Sequence, residues 1–232
     1  MFVSVKNKGE AENQFRVGII KILFIMKKLF TILTVVALTT TMSFSQTQYG
    51  AIVGLNMANI SGDDISDTDM RLGIRLGFSF SKELSDVVTL NSGVLYSVKG
   101  ASYKALSLGV DAFGNLVSLG EVDADYSLNY IEIPINFGFS VSDQFSLMGG
   151  FYSAFLVGVS NTVDGEDMDA DTDGWASIDF GIGLGAEFSV NDAISINTGY
   201  QMGLSPLDED GDTDAKNSNI LVGMTYSFGG GY

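Results

Sequence analysis

The 232-residue chain contains no cysteine and no histidine, and only two prolines. Without cysteine there is no disulfide framework, no thiolate zinc site and no thiol nucleophile, so stability has to come from pairing and packing. Without histidine the commonest general base, the Ser-His-Asp triad and the imidazole metal ligands are excluded together. What remains for catalysis is an unusual pair of carboxylates. The chain therefore reads as not an enzyme, with no cofactor expected. Basic residues are also scarce, 12 against 28 acidic ones, for a net charge of −16. A phosphate backbone would be repelled by that balance, so no nucleic acid is expected as a partner. Beyond residue 46 no apolar run approaches the roughly 20 residues of a helical membrane span.

One targeting segment is present. Met26-Lys27-Lys28 opens a basic region, a largely apolar run follows from Leu29 to Leu38, and Ser43-Phe44-Ser45 supplies small residues before a cut expected between Ser45 and Gln46. The run is short for a transmembrane anchor, so a signal peptide over 26–45 is the reading. Residues 1–25 are read as an upstream extension with Met26 as the expected start, and a longer signal peptide from Met1 is the alternative. Residues 46–232 then form one domain, as all-β barrels of this size commonly do.

Within that domain glycine is frequent, 28 in the whole chain, and apolar residues alternate with small or polar ones in segments of about ten. Eight such segments are expected as strands: Tyr49 to Ala58, Met70 to Phe80, Val88 to Lys99, Tyr126 to Val141, Phe145 to Val159, Ala176 to Val190, Ile194 to Leu204 and Asn219 to Phe228. In the second, Leu72, Ile74, Leu76 and Phe78 alternate with Arg71, Gly73, Arg75 and Gly77. A charge at every other residue does not fit a sheet that is buried on both faces. Leu95 breaks the pattern of the third segment, and the fifth is apolar on both faces.

An even strand number puts both barrel ends on one side of the membrane and makes short turns alternate with long loops. The turns would be 81–86, 142–144 and 191–193; the loops would be 59–69, 100–125, 160–174 and 205–217, and they hold 19 of the 28 acidic residues. The expected fold class is all-β, a single antiparallel up-and-down transmembrane β-barrel of about eight strands preceded by a signal peptide. A soluble lipocalin-like barrel, with the apolar side chains turned inward around a ligand, is the alternative.

Several of these residues are similar to those of a known family. Gly54-Leu55-Asn56, Arg71-Leu72-Gly73, Leu95-Tyr96-Ser97-Val98-Lys99-Gly100 and above all Leu128-Asn129-Tyr130-Ile131-Glu132-Ile133-Pro134 resemble the PorT-like family of outer-membrane β-barrels of Gram-negative bacteria. The likeness thins after about Val141, and the chain continues past the aromatic Phe228 to Gly229-Gly230-Gly231-Tyr232. The resemblance implies fold and outer-membrane location, and no reaction or ligand.

Three groups of residues are candidates for chemistry. Arg71, Arg75 and Lys99 face inward with Glu132, Asp179 and Glu187, and are expected to form a structural network of opposite charges that fills a narrow lumen. Asp169-Ala170-Asp171-Thr172-Asp173-Gly174 matches the opening of a calcium loop, with Asp169, Asp171 and Asp173 as the candidate ligands. The twelfth position, which should be Glu, is Phe180, and Asp208-Glu209-Asp210-Gly211-Asp212 is equally incomplete. A solvated acidic loop that bridges divalent cations only loosely is the resulting expectation. Trp175, Tyr126, Tyr130, Tyr152 and Tyr200 are candidates for interfacial aromatic belts, although Tyr130 is inward by phase.

The function expected is that of an integral outer-membrane barrel with a structural or interaction role, presenting acidic loops outside the cell. A narrow channel or a component of an export machine is the alternative. The expected partners are outer-membrane lipid and, at the loops, divalent cations, surface polysaccharide or envelope proteins.

Overall fold

Residues 46–232 form one compact unit. The computed structural model describes residues 47–62, 68–110, 113, 115–168, 170–211 and 213–228. The expected extension, signal peptide and glycine tail lie outside the described residues, as does Asp169.

The chain forms β1 (Thr47–Ser61), β2 (Thr68–Ser85), β3 (Val88–Val110), β4 (Leu116–Ser140), β5 (Phe145–Val163), β6 (Glu166–Met168), β7 (Ile178–Ser189), β8 (Ile194–Gly203) and β9 (Lys216–Phe228). β6 is a three-residue flap folded back on the end of β5, so β5 passes on to β7. The other eight strands pair antiparallel in chain order, and β1 pairs with β9 from Tyr49↔Phe228 to Ser61↔Lys216. That seam, together with the β4–β5 ladder, closes the sheet into a ring of eight. Short turns join β2–β3, β4–β5 and β7–β8 at the end where β1 starts and β9 finishes, here the turn end. The longer connections lie at the opposite, loop end.

Alternation along the strands sets the two faces. Leu72, Ile74, Leu76 and Phe78 are exposed on the outside of the ring, while Gly73 and Arg75 between them are buried inside. The same holds for β7, where Phe180, Ile182 and Leu184 point out and Asp179 and Gly181 point in. The barrel is therefore apolar outside and polar inside, the reverse of the lipocalin-like alternative. Glycines on the inner face let neighbouring strands and long polar side chains approach. A Cβ on Gly77 would lie 2.8 Å from the Leu95 Cα, so the fully buried Leu95 occupies the space this glycine leaves.

Three expectations need correction. The loop expected over 100–125 is mostly sheet: β3 and β4 continue as a ladder from Ala101↔Tyr126 to Val110↔Leu116. Its many small and acidic residues read as loop, although Leu106, Leu108 and Val110 alternate with Ala105, Ser107 and Gly109. The fifth strand reads as apolar on both faces because Tyr152 and Ala154 are buried inside, and its phase then shifts at a β-bulge: Tyr130 pairs with Leu156 and Asn129 with Gly158, which leaves Val157 as an extra residue. Val157 is exposed, while Leu156 and Val159 both pack against the interior. The turn expected over 81–86 is shorter, since β2 runs to Ser85.

Pro134 sits in mid-strand, and the β3–β4 register passes from Ser92↔Ile135 to Leu95↔Glu132 without a pair at the proline. Ser92 Oγ donates to the Pro134 carbonyl oxygen at 2.6 Å across this gap.

The outward apolar face gives a direct test. Leu184, 76% exposed in the middle of β7, should tolerate arginine in a soluble barrel. Facing lipid, Leu184→Arg should destabilise the protein by about 2–4 kcal/mol, read from urea unfolding in vesicles.

Candidate functional site

Arg75, Lys99, Glu132 and Asp179 meet in the middle of the lumen. Each is on the inner face of its own strand, β2, β3, β4 and β7, and all four are buried. Arg75 Nη2 lies 3.3 Å from Glu132 Oε1, Lys99 Nζ lies 3.2 Å from Glu132 Oε2, and Lys99 Nζ lies 3.0 Å from Asp179 Oδ2. Two cations thus face two carboxylates in an alternating chain with no net charge. Neutrality matters because a lone ion in this environment would lose most of its hydration without compensation.

Neutral groups complete the set. Gln201 Nε2 donates to Glu132 Oε1 at 3.1 Å, and Asn217 Nδ2 donates to Asp179 Oδ2 at 3.0 Å. The Tyr152 hydroxyl is 3.2 Å from both Asp179 oxygens. The Lys99 ammonium lies 3.8 Å from the centre of the Tyr152 ring and 5.4 Å from that of Tyr130, a cation–π arrangement that stabilises a charge with few water neighbours. Residues of β2, β3, β4, β5, β7, β8 and β9 are thereby tied together across the lumen. On β1, Asn56 Nδ2 donates to Ser97 Oγ and to the Val98 carbonyl oxygen, both at 2.9 Å.

An apolar plug covers the girdle toward the loop end. Ile60, Ala101, Leu128, Tyr130, Tyr152, Ala154 and Leu207 form one buried cluster, with Trp175 and Ala215 packed against it. Leu207 belongs to the β8–β9 connection and is 2% exposed. Its backbone is held by the Ala176 amide donating to its carbonyl and by its own amide donating to Ala215. Toward the turn end lies a polar cavity of about 110 Å³, lined by Arg75, Asn91, Asn136, Glu187 and Asn197 among others.

The six lumen charges expected from the sequence are thus divided. Four come together; Arg71 and Glu187 do not join them. Arg71 lies nearer the loop end, half-buried, with Nη1 donating to the Leu72 carbonyl oxygen at 3.3 Å. Glu187 lies toward the turn end, on the wall of that cavity with Ser195. Gln201, Asn217 and Leu207 were not anticipated. Inward phase in β8 is the one signal that pointed to Gln201. Asn217 and Leu207 sit in what reads as an acidic loop.

The aromatic candidates are divided as well. Tyr200 is exposed on the outer face, whereas Tyr130 and Tyr152 are buried inside. Tyr126 stacks on Tyr103 with ring centres 5.4 Å apart, and its other neighbour is Trp175 at 5.9 Å. Of the calcium candidates, Asp171 and Asp173 are exposed, with the Asp173 amide donating to Asp171 Oδ1 at 2.8 Å. Among the described residues no three acidic side chains converge as a metal site.

A sequence profile described as the outer membrane protein beta-barrel domain matches residues 43–209. The chain belongs to that family. It is accordingly an outer-membrane β-barrel protein. Solved structures similar to this member include Ail, the attachment invasion locus protein of Yersinia pestis, at 15% identity over 79% of this chain and 99% of that one, with a TM-score of 0.44. Neisserial surface protein A is similar at 15% identity over 78% of this chain and 97% of that one, TM-score 0.46. OprG from Pseudomonas aeruginosa is similar at 13% identity over 78% and 94%, TM-score 0.32. No curated protein matches the chain.

The girdle predicts non-additive energetics. Glu132→Gln leaves Arg75 without its ion-pair partner and Lys99 with Asp179 alone, and should cost about 3–5 kcal/mol. Adding Arg75→Gln leaves Lys99 with Asp179, so the double variant should lose clearly less than the sum of the two single losses. Equilibrium unfolding of the three variants checks it; simple additivity would mean that the charges do not act as a unit.

Proposed function

We propose that this protein is a sealed barrel of the outer membrane with a structural or interaction role carried at its loop end. The observation that carries the reading is the cross-section of the lumen. The charged girdle and the apolar plug above it fill the lumen at mid-height and toward the loop end, and a cavity lies toward the turn end. An eight-stranded barrel is narrow enough to be filled by its own side chains, and this one has long ones at mid-height. The girdle then serves as an internal brace.

Orientation follows from general barrel architecture, in which short turns face the periplasm and long loops face outward. On that reading the loops rich in Asp and Glu lie outside the cell, where they would meet divalent cations, surface polysaccharide or envelope proteins. Asp171 and Asp173 belong to this solvated rim. Export through a cleavable signal over 26–45 completes the proposal. The finer kinship to PorT-like barrels rests on Leu128 to Pro134, the stretch that places Tyr130, Glu132 and Pro134 inward.

The alternative, a narrow channel or export component, is favoured only by the cavity at the turn end. Planar bilayers separate the two. The purified protein should give no stable unitary conductance steps, and such steps would sink the sealed reading. Orientation is checked separately: on intact cells a cysteine replacing Asp171 should react with an impermeant maleimide and one replacing Asp143 should not.

A further inference from the structure

The outer parts of β3 and β4 are not used to close the barrel. β2 accompanies β3 no further than Thr68↔Tyr103, and β5 accompanies β4 no further than Ala124↔Val163. Beyond those pairs β3 and β4 bond each other, from Lys104↔Asp123 to Val110↔Leu116. Among the described residues no strand borders Leu116 to Glu121 on the side away from β3. The peptide groups on that side form an open edge, which is a template for an added strand. Proline and lysine, the residues that usually blunt such an edge, are absent from Leu116 to Asp123. The edge carries a bulge: Ser107 pairs with Gly120 and Leu108 with Ser118, which leaves Leu119 as an extra residue on β4 beside Gly120, whose φ is 119°.

Charge selects what can occupy this edge. Glu121 and Asp123 are exposed on β4. Asp164, whose amide donates to the Asp123 carbonyl at 2.9 Å, and Glu166 and Asp167 of the β6 flap are exposed at the foot of the arm. The nearby cation, Lys104, is ion-paired with Asp123. We propose that the outer edge of β4, from Leu116 to Asp123, is a docking strand for an extended, lysine- or arginine-bearing segment of a partner protein. The partner adds as a further strand, its cations meeting Glu121 and the acids at the foot of the arm, with Val117 as an apolar contact. A second copy of this chain is disfavoured, because paired β4 edges would bring like charges together, and anionic lipid headgroups are repelled for the same reason. The proposal rests on the reading that the loop end faces outward, and it names the class of partner met there.

The test uses the full-length barrel in nanodiscs and a fluorescent peptide of alternating lysine and valine. Anisotropy should show binding that weakens about tenfold or more in the Glu121→Lys/Asp123→Lys variant. A peptide of alternating lysine and proline carries the same charge but cannot extend the ladder, and it should not bind. Equal binding of the two peptides, or undiminished binding after residues 105–122 are replaced by a short turn, would overturn the proposal. So would sedimentation showing a dimer, or anionic vesicles captured by the barrel, if either depends on those residues. Unaltered heat-dependent gel mobility shows that each variant still forms the barrel. A cysteine at Glu121 separates the two readings: if it is unlabelled on intact cells while the peptide still binds in nanodiscs, the outward orientation fails and the docking edge stands.

Discussion

In hydrocarbon an unpaired peptide group has no water to turn to, and a sheet can cross a membrane only if its first and last strands meet. Here that requirement is met by the β1–β9 seam, which pairs every residue from Tyr49 to Ser61 with one from Lys216 to Phe228. The rest of the molecule follows from it. Closure at eight strands makes the interior narrow, so inward positions are filled by glycine, by small hydroxyl and amide residues, or by a few long side chains that must satisfy one another. The outward positions, freed from packing, carry Leu72, Phe78 and Leu184 toward lipid.

The charged girdle is the costly part of that solution. Burying four ions gains little over burying four apolar residues of similar size, because desolvation offsets most of the attraction. What the ions contribute is register. The positions of Arg75, Lys99, Glu132 and Asp179 are mutually satisfied in this alignment, and a one-residue slip of any strand would turn its ion out toward lipid. The β3–β4 ladder is interrupted over two positions at Pro134 and Ile133, next to Glu132, so side-chain ties matter most where the backbone ladder is weakest. This account predicts that the girdle tolerates loss of a complete pair better than loss of one member.

How much of this is legible in the sequence depends on whether the signal is periodic. Strand existence and facing are legible because alternation at Arg71 to Phe78 or Asp179 to Glu187 repeats every two residues, and because charge at inward positions rules out a doubly buried sheet. The bulge at Val157 is not legible, since one extra residue reverses the phase without changing composition. The β3–β4 arm is hidden for a different reason: Leu106, Leu108 and Val110 do alternate with Ala105, Ser107 and Gly109, but the run is short and is followed by glycines and acids that read as loop. The girdle is legible as a set of inward charges but not as a set of contacts. Alternation assigns a face and says nothing about height, which is why Arg71 and Glu187 read the same as Arg75 and Asp179. Leu207 shows no period at all; it is buried because its loop folds back into the mouth of the barrel.

Charge is distributed as unevenly as polarity. From residue 46 onward the chain has 26 acidic and six basic residues. Of the six, Arg75 and Lys99 are committed to the girdle, Arg71 is half-buried on the lumen wall, and Lys104 is engaged with Asp123. The loop end therefore carries acid with few basic residues to neutralise it, yet two of its connections are tied together, with the Ala176 amide donating to the Leu207 carbonyl and the Glu209 amide to that of Gly174. That tie seats Leu207 and Trp175 against the buried tyrosines of the apolar cluster. The acid and the apolar cluster thus occupy the same end of the barrel as the outer part of β4, which no strand borders on the side away from β3 among the described residues.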